Sequence, residues 1–176
     1  VKVGATAGLV NYNQRGAVLG HSLGILDTGT IIAGAEDLEA FDSLDAADRP
    51  ADGVVLTIDE LAEQARQVRE QDPRATENPA VTATLPASTR AFYVFTSGTT
   101  GMPKASIMTH YRWLKGMSGF GGTAVRMRGD DVMYCPLPLY HNNALSVSLS
   151  SVLAAEQVDA LALAIDNMER GAGFII

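Results

Sequence analysis

Nine residues from Thr96 to Lys104 read TSGTTGMPK, a run of hydroxyls and glycines closed by a proline and a cation. Phosphate groups are held by backbone N–H groups that point inward, by hydroxyls that reach oxygens, and by a cation that offsets charge. Glycine gives the backbone room for the first task. Thr96, Ser97, Gly98, Thr99, Thr100, Gly101 and Lys104 supply all three kinds of group. Pro103 stiffens the exit, so less loop freedom is lost on binding. The spacing is not that of a Walker A loop, since G-x-x-x-x-G-K-[ST] occurs nowhere. By residue type alone, an ordinary surface turn stays open as the alternative.

Charge around the loop favours a polyanion. Residues 78–129 hold no Asp or Glu but six Lys or Arg, whereas residues 36–77 carry 13 acidic and four basic side chains. An acid-free, basic stretch around such a loop suits a small polyanion, a nucleoside triphosphate above all. The net charge of −7 argues against nucleic acid as a partner. With 47% hydrophobic and 19% charged residues, the composition is that of a globular protein. No apolar run approaches the ~18 residues of a membrane span. The single cysteine, Cys135, excludes an internal disulfide and leads us to expect a reducing, cytoplasmic compartment. No Cys/His spacing predicts a metal site, and His21 and His110 read as structural residues. The chain opens on Val1 without a leader pattern and is expected to be a segment of a longer protein.

The loop must be held by something. Residues 91–96 predict a buried strand before it, and 105–108 a second strand after it. A helix is expected over 110–119, then a flexible break at GFGGT, then a strand in DDVMYCPLPLY ended by Pro136 and Pro138. HNNALSVSLSSVLAA predicts a helix of small residues that packs closely. Upstream, GATAGLVNYN reads as a strand, residues 14–27 as a helix, TGTIIAGAED as a strand, 36–41 as a short acidic helix and GVVLT as a strand. The clearest helix is TIDELAEQARQVRE, with Thr57 as N-cap, Glu60 three residues on, and Ile58, Leu61, Ala65 and Val68 on one face. Pro73 and Pro79 bracket a polar linker. Strands and helices alternating at these lengths imply an α/β domain.

YVFTSGTTGMPKA resembles the signature loop of the AMP-forming adenylating superfamily, which includes acyl-CoA synthetases, peptide adenylation domains and luciferases. PLPLYHNN resembles a second motif of that superfamily, in which an aromatic residue or histidine borders the acyl pocket. Together with NYNQRGAVLGHSL it is most similar to the fatty-acid-transport/very-long-chain acyl-CoA synthetase branch. The resemblance implies a partial N-terminal domain of the adenylate-forming fold, with mixed, largely parallel sheets flanked by helices. It spans residues 1–155, with an acidic region at about 36–88 and a phosphate-loop region at 91–109.

It also implies a reaction. A fatty acid is activated by Mg-ATP to an acyl-adenylate and pyrophosphate, and coenzyme A then takes the acyl group. Residues 96–101 and Lys104 would hold the ATP phosphates, and Tyr140, His141 and Asn142 would border the acyl or adenylate pocket. The family's magnesium-binding glutamate, ribose-binding aspartate and adenylation lysine have no counterpart here. Catalytic residues are therefore unassigned, and the 176-residue piece alone is expected to be inactive. Residues 156–176 depart from the family pattern and predict a helix with Val158, Leu161, Ala162, Ile165 and Met168 on one face, followed by a strand start. A ligase for another carboxylic acid, and a non-catalytic nucleotide-binding or lipid-uptake remnant, stay open as alternatives. So do peripheral attachment to the inner face of the membrane and the oligomeric state.

Overall fold

The strand that leads into the loop, β4 (Arg90–Thr96), is the central strand of a three-stranded sheet. It pairs in parallel with β1 (Ala7–Leu9) and antiparallel with β5 (Lys104–Thr109). A continuous apolar run is what a strand covered on both faces requires, and Ala91, Phe92 and Val94 are buried. Phe92 meets Trp113 edge-on, with ring centroids 5.3 Å apart. The Trp113 indole N–H donates to the Leu145 carbonyl at 3.1 Å, so its polar tip is satisfied while its rings fill the core. This computed structural model describes residues 2–49, 53–97, 101–155 and 174–175.

A second layer begins with α1 (Gly16–Leu26), which buries Leu19 and Leu23 against Ala40 and Leu44. The expected acidic helix after it is a 3₁₀ turn, Ala35–Ser43. Beside it, β2 (Thr30–Ala33) and β3 (Val54–Thr57) form a separate parallel pair. Directly from β3 the chain enters α2 (Ile58–Gln71) through the expected capping box. The Glu60 N–H donates to Thr57 Oγ1 at 3.1 Å, and the Thr57 N–H donates to the Glu60 carboxylate at 2.8 Å. Its apolar stripe, however, is not covered. No residue of α2 is buried, and Ile58 and Val68 are 48% and 53% exposed, because α2 leans on β3 and its own following turn.

GFGGT does not break the chain. After α3 (His110–Gly116) the helical path widens to π geometry over Met117–Val125 and ends at Arg126 in a left-handed conformation (φ 52°). A Cβ on Gly121 would lie 2.8 Å from the Ser151 Cα and the Ala154 Cβ. That glycine serves close helix approach, not chain reversal. Its neighbour is the expected small-residue helix, in π geometry over Ala144–Leu149 and then α4 (Ser150–Ala154), with Ala144, Ser150, Ser151 and Val152 fully buried. Ser150 Oγ donates back to the Ser146 carbonyl, which lets a hydroxyl sit in this interface.

The strand expected across DDVMYCPLPLY shortens to β6 (Tyr134–Cys135), antiparallel to β7 (Phe174–Ile175); Val132, just before it, is 71% exposed, with no layer among the described residues to bury against. The expected helix over 158–168 lies outside the described residues. Strand pairing is thus mixed, within a partial α/β domain of separate small sheets.

Candidate functional site

Thr96 ends β4 directly opposite Lys104, which opens β5, so the loop is the turn of a β-hairpin. Thr96 Oγ1 donates to the Lys104 carbonyl across the mouth at 3.4 Å. Ser97 is exposed, and Gly101 sits at φ +83° with open space where a side chain would be. Gly98, Thr99 and Thr100 lie outside the described residues. A left-handed residue and then a proline bring the chain sharply back into β5.

The facing wall comes from the second motif. The His141 N–H donates to the Pro138 carbonyl at 2.9 Å, closing a turn, and the Leu145 N–H donates to the His141 carbonyl at 3.1 Å, opening the helix. Tyr140 and His141 thus sit on a turn-to-helix junction, with rings 4.9 Å apart and tilted by 37°. Asn142 Oδ1 accepts from Ser146 Oγ at 2.9 Å. Tyr140 also meets Tyr12 edge-on at 5.6 Å. Burial, with a smaller push from Tyr12, raises the Tyr140 phenol above its ordinary value, and a hydrogen bond from the Asn13 side chain pulls it partly back. At neutral pH this phenol keeps its proton.

These segments enclose a cleft of about 560 Å³. Thr96, Ser97, Gly101, Tyr140, His141 and Asn142 all line it, so the structure brings together six of the ten residues singled out from the sequence. Lys104 is not among the residues that line it, and it is exposed. A third wall, Asn11, Gln14 and Val18, lies in the stretch that carries the branch resemblance but is given no site role by the sequence, because it is brought there by the parallel pairing of β1 with β4. Gln14 Oε1 is buried without a hydrogen-bond partner among the described residues, where the cleft meets its neighbour. That neighbour is an apolar chamber of about 910 Å³ between β1 and α1, which shares Asn11, Gln14 and Tyr140 with the cleft.

Among the described residues the lining offers hydroxyls, amides, a phenol and an imidazole, and no carboxylate. Such a surface suits an anion, which meets donors and no repelling charge. It does not suit a protein-held magnesium ion, which wants carboxylate oxygens. Among the described residues no group of three or more His, Cys, Asp or Glu could hold a metal.

Comparison with known proteins places the chain in a family. The family model for the AMP-binding enzyme matches residues 1–158. The medium/long-chain-fatty-acid–CoA ligase FadD6 of Mycobacterium tuberculosis is 47% identical over 153 residues, covering 87% of this chain and 25% of that protein. Human long-chain fatty acid transport protein 1 is 32% identical over 158 residues, covering 80% and 22% respectively. The chain therefore spans about a quarter of the length of these relatives. Among solved structures, the inhibitor-bound N-terminal domain of FACL13 from Mycobacterium tuberculosis superposes with a TM-score of 0.67 at 26% identity, over 89% of this chain and 37% of that one. No helix among the described residues is long and apolar enough to cross a membrane. By the extent of the family match, the chain belongs to the AMP-binding enzyme family.

Proposed function

We propose that this chain is the phosphate-loop segment of a fatty-acyl-CoA synthetase. The observation that carries the reading is one cleft, with no carboxylate among its described lining residues, that the loop hydroxyls share with the Tyr140–His141 pair. Its 47% identity to a fatty-acid–CoA ligase supports a fatty acid as the acid activated. A carboxylate oxygen attacks the α-phosphorus of ATP, the bond to pyrophosphate breaks, and an acyl-adenylate forms. The thiol of coenzyme A then displaces AMP and forms the thioester.

For this segment the task is to hold and orient. Thr96, Ser97, Thr99 and Thr100 donate to the β- and γ-phosphates, and Gly98 and Gly101 let the backbone approach them. Lys104, at the hairpin mouth, offsets charge that grows on the departing pyrophosphate. Tyr140, His141 and Asn142 border the acyl and adenylate groups from the opposite wall. Fixing reactants in line is where most of the gain in phosphoryl and nucleotidyl transfer arises. Magnesium travels with the nucleotide, and its protein ligands are assigned to no residue of this chain. A buried free thiol at Cys135 supports a cytoplasmic location.

The test is fatty-acid-dependent pyrophosphate release by the intact ligase that carries this segment. Lys104→Ala should lower its kcat/KM for Mg-ATP by about one to three orders of magnitude, at ~1.4 kcal/mol per tenfold, with a smaller effect on the fatty acid. Wild-type release that does not depend on a fatty acid overturns the substrate assignment. Unchanged adenylation in the variant makes Lys104 a solvated surface lysine.

A further inference from the structure

We infer that His21 is a positioning residue for the phosphate loop, holding the loop's exit from the opposite layer of the fold. Its ring is half-buried on α1, and its Nε2 lies 3.0 Å from the carbonyl oxygen of Pro103, 82 residues away. A carbonyl only accepts, so Nε2 carries the proton and donates it.

The place of the contact gives it consequence. The β4–β5 pairing begins at Thr96 opposite Lys104, so the Pro103 carbonyl sits one residue outside the ladder. Pro103 has no N–H and a ring-fixed φ, while Gly101, two residues earlier, has φ +83°, and a Cβ added there would meet no atom of the described residues within 4 Å. A loop that leaves a left-handed glycine and enters a strand needs its exit direction set. The proline ring sets one angle, and the His21 bond sets where the peptide plane after it points. That peptide plane carries the N–H of Lys104. His21 therefore ties the cation and the end of the loop to α1. The same helix continues from the Gln14–Arg15 segment, whose Gln14 lines the cleft. One rigid helix thus touches the cleft at one end and the loop exit further along. His21 itself does not line the cleft, so its effect must pass through the loop.

This inference rests on the reading of the cleft as an ATP site, and the experiment separates the two. In the intact ligase, KM for Mg-ATP, KM for hexadecanoate and kcat are measured by pyrophosphate release for wild type, His21→Phe and His21→Gln. Phe keeps the ring's bulk without the donor; Gln places an amide N–H near the position of Nε2. His21→Phe should raise KM for Mg-ATP about three- to tenfold, the worth of one partly buried hydrogen bond, with KM for hexadecanoate within about twofold of wild type. His21→Gln should recover most of the loss. A merely structural role would instead lower melting temperature and kcat, or move both KM values alike, and either result overturns the inference. Unchanged kinetics in His21→Phe overturns it too.

Should His21→Phe fail to fold, the pair Gln and Asn decides. Asn reaches only the Nδ1 position and should show the raised KM for Mg-ATP that Gln does not; equal behaviour overturns the inference. Absence of fatty-acid-dependent release in wild type sinks the ligase reading alone. His21 is then judged by Mg-ATP binding to the same variants in calorimetry, where an unchanged Kd in His21→Phe overturns its role.

Discussion

Two strand–helix units in this chain have similar apolar patterns and opposite fates. In the β4–β5–α3 unit the central strand finds partners: Ala91, Phe92 and Val94 are closed over by Trp113, Leu145 and Leu149, although Ile107 and Leu114 stay exposed. In the β2–β3–α2 unit, Ile31 packs on the α1 core, but Ile32, Val54 and Val55 are 53%, 53% and 40% exposed, and α2 buries nothing. Yet α2 has the better local signals, a full capping box and a clear amphipathic stripe. Local code and tertiary burial are separable here. The first makes a helix; only the second makes a core.

The largest expected effect breaks that contrast if it fails. Phe92→Ala should cost about 3–5 kcal/mol, because the ring is buried and its edge-on contact with Trp113 goes with it. Val55→Ala, on the exposed pair, should cost under about 1 kcal/mol, since little area is returned to water. Urea unfolding followed by Trp113 fluorescence measures both. Similar costs would mean that β2–β3 is covered in solution.

Next in size is a pair of glycines one residue apart. Gly121→Ala drives a Cβ to 2.8 Å from the Ser151 backbone and should destabilise by about 1–2 kcal/mol. Gly122→Ala meets nothing within 4 Å and should stabilise by about 0.5–1 kcal/mol, the helix advantage of alanine over glycine. Opposite signs at neighbouring positions would show that packing, not propensity, holds the π-helical segment. Equal signs would return it to a simple flexible break.

The same division explains what could be read in advance. The β4–loop–β5 hairpin was legible because an apolar run, a glycine-rich turn and a second strand are contiguous. The α2 cap was legible because Thr57 and Glu60 are three residues apart. Gly121 misled, because a glycine that admits a neighbouring helix looks in sequence like one that ends its own. Tyr140 and His141 came from motif resemblance, whereas Gln14 and His21 lie in a stretch that counts toward the branch resemblance but is given no site role by the sequence. They reach the site through the β1–β4 pairing and the α1 face, contacts made across more than 80 residues, and no local spacing encodes them.

The smallest effect tests the local side of the comparison where no core interferes. Thr57→Ala should cost about 1 kcal/mol, the usual worth of an N-cap, and it should be felt in α2 alone. The partner carboxylate adds a pH dependence. The Thr57 backbone N–H, and then its hydroxyl, hold Glu60 below its ordinary value near 4.5. A carboxyl whose folded value is depressed stabilises the fold above its unfolded value, and the contribution fades as pH falls through the folded one. Amide exchange in the first turn of α2 should therefore be slow and flat at neutral pH and should quicken as pH drops below about 4.5, after correction for intrinsic exchange. Glu60→Gln keeps an oxygen for the Thr57 N–H but has no charge to lose, so its profile should stay level across that window. A wild-type profile as level as the variant's would mean the capping box does not hold α2 in solution, and the burial-free helix would need another support.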